Sequence, residues 1–285
     1  MTTPPLPPGP VGIVGLGLIG GSLGLDLRRL GLEVRGLVHR PQTAERALAR
    51  GLVQQASTDA AVLAGCRLVV LALPLDRLLA SDPALVAAIP PEVVVTDVGS
   101  VKAPVLARWQ GLHPRFVASH PMAGTAQAGV EAGLEGLFQG RPWVATPSAA
   151  TESEALAVVQ ALAAAVGARW LCCEASAHDR AVALISHLPV LVSAALLQNA
   201  DRSGADLPDL VRALASSGFA DTTRVGGGNP ELGTLMARCN REAVAEALAG
   251  YRACLEQLER RLEQADWAGL QADLEQCRQL RPQFL

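Results

Sequence analysis

At 285 residues and 29.6 kDa, with a formal net charge of -3 and a pI near 6.0, the chain is long enough for one large domain or two ordinary ones and has ample core to fold unaided. Hydrophobic residues make up 50% and charged residues 18%, which excludes a disordered chain, and a mildly acidic balance with 3% aromatics is the wrong surface for nucleic acid. The six cysteines, at positions 66, 172, 173, 239, 254 and 277, show neither CxxC nor metal-ligand spacing and read as buried, reduced thiols of a cytoplasmic protein.

The opening MTTPPLPPGP has no basic or apolar stretch of the kind a secretory leader needs, and residues 1–10 are expected to be a disordered tail. Beyond it, short apolar runs alternate with longer amphipathic stretches. Val11–Val14, Val34–Val38, Leu68–Leu73, Val93–Thr96, Phe116–Ala118, Trp143–Ala145 and Arg169–Cys172 are strand candidates, with helices expected near Leu18–Leu30 and Thr43–Arg50. Such alternation signals βαβ units and a mostly parallel sheet. After Cys173 no strand candidate remains, so the boundary falls there: a dinucleotide-binding domain over 11–173 and a helical domain over 174–285, broken at Gly204, Gly218 and Gly226–Pro230. Ala177–Asn199 is apolar nearly all round, as in a helix buried inside an assembly, while its core, Val182–Leu197, is interrupted and shorter than the roughly 20 residues a bilayer requires. Val244, Leu248, Tyr251, Leu255, Leu258 and Leu262 recur at spacings of four and three, a narrow seam suited to pairing with a second subunit.

Gly15, Gly17 and Gly20 form GxGxxG directly after the first strand, with Leu18 and Ile19 opening the helix. In that position the first glycine permits a tight turn, the second lets backbone approach a pyrophosphate, the third packs helix on strand, and the helix N-terminus supplies N–H donors. Leu73 and Pro74, ending the third of these central strands, are expected to border the same dinucleotide. An NAD site places a carboxylate about 20 residues on, at the tip of the second strand. Here that tip carries His39-Arg40, followed by Thr43, and Arg40 offers a planar fork suited to a 2′-phosphate. NADP is the expected cofactor.

Three further clusters stand at strand ends or helix breaks: TDVGSVK (Thr96–Lys102), SHPMAGT (Ser119–Thr125), and ISHLP (Ile185–Pro189) with SSGFADTTRVGGGNPELG (Ser216–Gly233). Of the 24 basic residues only Lys102 is a lysine, a hint that an ammonium is needed where it stands. No metal-ligand cluster is visible.

With these motifs in their order, the chain resembles the prephenate/arogenate dehydrogenase family of tyrosine biosynthesis, and most closely its NADP-dependent arogenate dehydrogenases of cyanobacterial type, from Val11 to about Glu263. The resemblance implies an α/β Rossmann-type domain followed by an all-α dimerisation domain, an intertwined homodimer, and a small-molecule substrate. That substrate is a cyclohexadiene with a ring carboxylate and a C4 hydroxyl. It loses hydride to the nicotinamide, a proton to a base, and CO₂. By the same resemblance His120 is the base and Ser100 its partner near the hydroxyl; independently of the resemblance, Ser100 is also placed to cap the following helix. Arg224 anchors a substrate carboxylate, with Asp221 as its orienting or gating partner, and His187 touches the substrate side chain. Thr125 is expected to orient the base or cofactor. Glu131, expected in a helix after HPMAGT, is a candidate acceptor for the ammonium that distinguishes arogenate from prephenate. His113 and His178 lie outside every motif and are expected at the surface. Prephenate dehydrogenation with the same mechanism is the near alternative. A β-hydroxyacid dehydrogenase, which would place a lysine base on the helical domain, and a non-catalytic dinucleotide sensor are more remote ones.

Overall fold

Three strands, β1 (Val11–Val14), β4 (Leu68–Leu71) and β5 (Val94–Asp97), are buried at every residue in the computed structural model, which describes residues 6–125, 127–203 and 207–284. Strands buried on both faces in this way belong to a parallel sheet covered on both sides. With β2 (Val34–Leu37), β3 (Gln55–Ser57) and β6 (Phe116–Val117) they form a six-stranded parallel sheet in the order β3-β2-β1-β4-β5-β6. The order reverses between β1 and β4, and in an open α/β sheet ligands bind outside the carboxyl ends of the strands at that point.

Two apolar layers sandwich the sheet. One centres on α1 (Leu18–Arg29) and α6 (Ser153–Ala165), where Leu23, Leu27 and Leu162 pack with Phe138 and Trp143, whose rings lie 5.6 Å apart. The other centres on α3 (Leu75–Leu79) and α5 (Ala103–Trp109), where Trp109 stacks on Phe116 at 5.5 Å and donates its indole N–H to Leu78 O. Both buried tryptophans thus keep a hydrogen-bond partner, since Trp143 donates to Ser119 Oγ at 3.0 Å.

A second, three-stranded sheet is built from β7 (Ser119–Pro121), β8 (Pro142–Ala145) and β9 (Arg169–Cys172); β7 runs antiparallel to β8 and β9 parallel to it. The strand expected over Phe116–Ala118 ends at Val117, and the chain passes into the second sheet at Ser119. Sequence alone does not indicate β3 or β7: both are three residues long, polar or small, and lie at sheet edges. Leu6, expected within a disordered tail, packs against the first layer, and Pro10 O accepts from Arg67 N–H.

From Ala175 the described chain is helical. α7 (Ala175–Val182), a π-helical turn (Ala183–His187) and α8 (Leu188–Ser203) form one continuous run. Ala175–Arg202 spans 28 residues at a mean hydropathy of 1.9, so by length and composition it is long and apolar enough to cross a bilayer, contrary to the expectation from Val182–Leu197 alone. Its first turns instead bury His178 and Asp179 against the dinucleotide-binding half, and Ala183 and His187 against the helical half's own Val244, Ala247 and Asn240. Gly204 lies outside the described residues, and Gly218 falls inside α10 (Ser217–Thr223) rather than between helices.

The last helices, α12 (Arg241–Glu263) and α13 (Trp267–Leu280), bury little in their own subunit: only Val244 and Ala247 on α12, and no residue on α13. Of the α12 seam, Val244 is buried, Tyr251 and Leu258 are half-buried, and Leu248, Leu255 and Leu262 are exposed. Trp267, Leu214 and Phe284 are exposed as well. Of the thiols, Cys66 is buried and Cys239 half-buried, but Cys172, Cys173, Cys254 and Cys277 are exposed, which corrects the reading of all six as core residues.

Candidate active site

The glycine turn after β1 fits a dinucleotide. Gly15 adopts φ +92°, where side chains are rarely tolerated, and a Cβ at Gly20 would stand 2.0 Å from Gly15 O, so the helix cannot approach the strand with any larger residue there. A Cβ at Gly17 would meet nothing within 4 Å, leaving open space above the turn. Gly17 is the N-cap of α1 and no side chain caps it, so the first-turn N–H groups around Leu18, Ile19 and Gly20 face that space as anion donors. Leu73, whose Cδ2 would be 3.4 Å from a Cβ on Gly15, and Pro74 border the turn from the end of β4.

Past the end of β2 no carboxylate stands at His39 or Arg40, and both are exposed. Arg40 donates through Nε to His39 Nε2 at 3.0 Å and is the N-cap of α2 (Pro41–Ala49), which brings Thr43 one turn into the helix, half-buried.

At the carboxyl end of β5 the two central motifs are stitched together. Asp97, fully buried, accepts from Gly99 N–H at 2.8 Å and Ser119 N–H at 3.1 Å, and pairs with the buried Lys102 ammonium. Lys102 also donates to Ser119 O at 2.8 Å, and Thr96 Oγ1 meets Ser119 Oγ at 2.8 Å. Burial pushes the Asp97 carboxyl up and the Lys102 ammonium down, and each opposes the other's shift by pairing. The lone lysine therefore serves as a strap between β5 and β7 and is sealed from solvent.

His120 sits in β7 rather than in a loop, and it is buried. Its Nδ1 lies 3.0 Å from His178 Nε2, and His178 Nδ1 lies 2.8 Å from Asp179 Oδ1. Asp179 in turn accepts from Lys102 N–H at 2.7 Å and Ala103 N–H at 2.8 Å, the first donors of α5. Thus Asp179, not Ser100, caps that helix; Ser100 is half-buried on the connecting turn, and its hydroxyl makes no hydrogen bond among the described residues. His178, expected at the surface, is buried beside the base, and His113 is buried too, its Nε2 3.2 Å from Pro90 O. The one local signal for the former was the His178-Asp179 pair on the same helical run as ISHLP.

His187 is buried on the π-helical turn, 3.3 Å from Asn240 Nδ2 through Nδ1, and its Nε2 has no partner among the described residues. Burial holds its pKa down at about 4. Burial, and after it the nearby Lys102 ammonium, holds His120 well below the usual imidazole range, so its ring is neutral and able to accept a proton at physiological pH.

The remaining candidates lie farther out. Arg224, just past α10, and Asp221 within it are both exposed and form no ion pair with each other among the described residues. The Gly226–Pro230 turn is pinned to α8 by Ser193 Oγ, which accepts from Gly226 N–H at 2.7 Å, and Asn229 caps α11 (Pro230–Cys239). A shallow depression of about 470 Å³ separates Ala128 from Gly227–Glu231, but none of the candidate catalytic side chains lines it. Thr125 is exposed, its hydroxyl accepting from Gln127 N–H rather than reaching His120. Glu131 is in a turn, not a helix, and is exposed and paired with Arg46 at 2.7 Å and Arg50 at 3.5 Å on the outer face of α2. Those pairs hold its carboxyl low and occupy the charge that an ammonium would need.

Two family models match the chain: the prephenate dehydrogenase nucleotide-binding domain over residues 23–172 and the prephenate dehydrogenase dimerization domain over 174–276. A prephenate dehydrogenase of Bacillus subtilis is 31% identical over 227 residues, 77% of this chain, which spans 61% of that protein's length. Among solved structures, arogenate dehydrogenase of Synechocystis is 40% identical, with a TM-score of 0.82, over 97% of this chain and 100% of its own. Prephenate dehydrogenase of Aquifex aeolicus, in complex with hydroxyphenyl propionate and NAD+, has a TM-score of 0.92 at 28% identity, over 98% and 99% of the two chains. With more than half its length matched by the nucleotide-binding model alone, the chain belongs to the prephenate dehydrogenase family of nicotinamide-dependent oxidoreductases.

Proposed function

We propose that the protein catalyses NADP-dependent oxidative decarboxylation of L-arogenate to L-tyrosine, as a cytoplasmic homodimer whose 11–173 half binds the cofactor and whose 174–285 half supplies the substrate anchor and the subunit contact. The observation that carries this reading is a neutral, buried histidine held by its Nδ1 just past the carboxyl end of β5, the same edge of the parallel sheet as a glycine turn built for a dinucleotide. Arogenate is favoured over prephenate by 40% identity to an arogenate dehydrogenase along nearly the whole chain. NADP is favoured by Arg40 at the strand tip, where a carboxylate would repel a 2′-phosphate.

Gly15, Gly17 and Gly20 with the N-terminus of α1 would hold the pyrophosphate, and Leu73 and Pro74 would flank it. When bound, the dinucleotide supplies the hydride acceptor. The chain's own residues then supply orientation and proton handling. Arg224 anchors a carboxylate bidentately, with Asp221 beside it and His187 toward the side chain. Ser100 donates near the C4 hydroxyl, and His120 Nε2 takes the hydroxyl proton as the C4–H bond breaks with its electron pair. The bond from C1 to its carboxylate then breaks, CO₂ leaves, and that electron pair aromatises the ring. The proton returns to the phenolic oxygen, so no net proton is released. Aromatisation drives the reaction, and what remains for the protein is alignment and a base.

Thr125 and Glu131 are retained only at the periphery of this reading, because both are exposed and satisfied elsewhere. The deciding experiment assays purified protein with arogenate and with prephenate, each with NADP and with NAD. The highest kcat/KM is expected for arogenate with NADP. A higher value for prephenate selects the alternative substrate, and no turnover of either removes the proposal.

A further inference from the structure

We propose that His178 and Asp179 are positioning residues that fix the tautomer of His120, so that its Nε2 is always the lone pair offered to substrate. This rests on the reading of His120 as base.

The direction of the chain follows from which atoms can donate. A carboxylate only accepts, so the 2.8 Å contact from Asp179 Oδ1 requires the proton of His178 to be on Nδ1. His178 Nε2 is then bare and can only accept, so the 3.0 Å contact to it requires a proton on His120 Nδ1. His120 Nε2 is left unprotonated, the atom a base must present. When His120 gains the substrate proton, the new charge is delocalised over a ring whose Nδ1–H already points along this chain toward a carboxylate. His178 keeps the proton on its Nδ1 throughout, and neither it nor Asp179 needs to touch the substrate.

The carboxylate that sets the direction is itself held from three sides. Its two oxygens take the Lys102 and Ala103 N–H groups that start α5, and the backbone carbonyl of Asp179 accepts from Asn240 Nδ2 at 2.7 Å. His178 and Asp179 belong to the helical half, whereas His120 and α5 belong to the dinucleotide-binding half. The base therefore acquires its correct tautomer only when the two halves are seated on each other.

The test uses the full-length enzyme. His178→Phe keeps ring volume but removes the acceptor; His178→Gln places an amide oxygen near the former Nε2 and can still accept from His120. Phe should lower kcat by about 10²–10⁴-fold, the worth of a correctly presented base, with KM for substrate and cofactor within about twofold. Gln should recover about tenfold or more of that loss. Imidazole ¹⁵N NMR of the wild type should show His120 protonated at Nδ1 and bare at Nε2, and needs neither turnover nor a folded variant. An Nε2-protonated His120 in the wild type, or a His178→Phe enzyme with undiminished kcat, overturns the proposal. Equal losses for Phe and Gln accompanied by a parallel rise in KM also overturn it, since a merely structural role would produce that pattern. His120→Asn, run alongside, separates the two readings: if it retains kcat, the base assignment itself fails; if it alone is inactive, only the positioning role fails.

Discussion

Replacing Lys102 with methionine keeps most of the side chain's length but takes the ammonium out of a site with 0% exposure. The Asp97 carboxylate is left with two backbone donors, Gly99 and Ser119, and Ser119 O loses its own donor. Removing one partner of a buried ion pair typically costs about 3–5 kcal/mol, because the remaining charge has no water to turn to. At about 2–4 °C per kcal/mol for a domain of 150–250 residues, the melting temperature should fall by about 6–20 °C. The assay is thermal and urea unfolding at fixed protein concentration, since an assembling chain's stability depends on it. A second substitution, Asp97→Asn, should recover a large part of the loss by removing the stranded charge. The pH dependence has a definite sign. In the variant the folded-state pKa of Asp97 lies above its unfolded value, so its contribution is fully present below about pH 4 and is lost as pH rises through the folded pKa. The deficit relative to wild type should therefore narrow in acid. A loss below about 1 kcal/mol, the value of a solvent-exposed pair, or a deficit equal at pH 4 and pH 8, would refute a buried strap.

Three further outcomes are expected. Arg40→Ala should raise the KM for NADP by about tenfold, the low side of one charge-assisted contact at an exposed strand tip, and leave the KM for NAD unchanged; an unaltered ratio of the two would remove Arg40 from cofactor choice. Arg224→Ala should raise the KM for substrate by about 10- to 150-fold with cofactor binding preserved, and an unchanged kcat/KM would make this arginine structural. Because His120 and His187 are held below the ordinary imidazole value, kcat/KM should be flat from about pH 6.5 upward. Stability should fall as the medium is acidified from about pH 6.5 through His187's value of about 4, where the unfolded chain binds protons that the folded one refuses; a stability that rises over that range would contradict buried neutral rings.

What could be read from the amino-acid order was whatever is local and repeated. Val11–Val14, Leu68–Leu71 and Val93–Val95 are apolar because both faces of a parallel sheet are covered, and the glycine turn is marked by residues that only its geometry requires. What was not legible depends on partners distant in the chain. His178 stands 58 residues from His120, and the adjoining Asp179 is the one local sign separating it from a surface histidine. Asp179 reaches 77 residues back to cap α5, which is why the helix lacks a capping side chain of its own and Ser100 was an attractive but mistaken candidate for that cap. Glu131 failed for the opposite reason: its partners Arg46 and Arg50 come from α2, which periodicity places in the chain but not in space.

The π-helical turn at Ala183–His187 has a rotational consequence. Successive residues of an α-helix advance by about 100°, so nine steps would set His187 about 180° from His178, on the far side of the rod. A π turn absorbs one extra residue into the same pitch, and the separation drops to about 80°. Asp179 and His187 come within about 20° of the same line, which is why Asn240 can reach the carbonyl of one and the ring of the other. Were the turn to relax into regular α pairing, α8 would swivel by about 100° beneath a fixed α7, carrying Ser193 away from Gly226 and unlatching the loop behind Arg224. The wide turn is thus a built-in twist of the rod, and the azimuth of every side chain beyond it depends on one surplus residue.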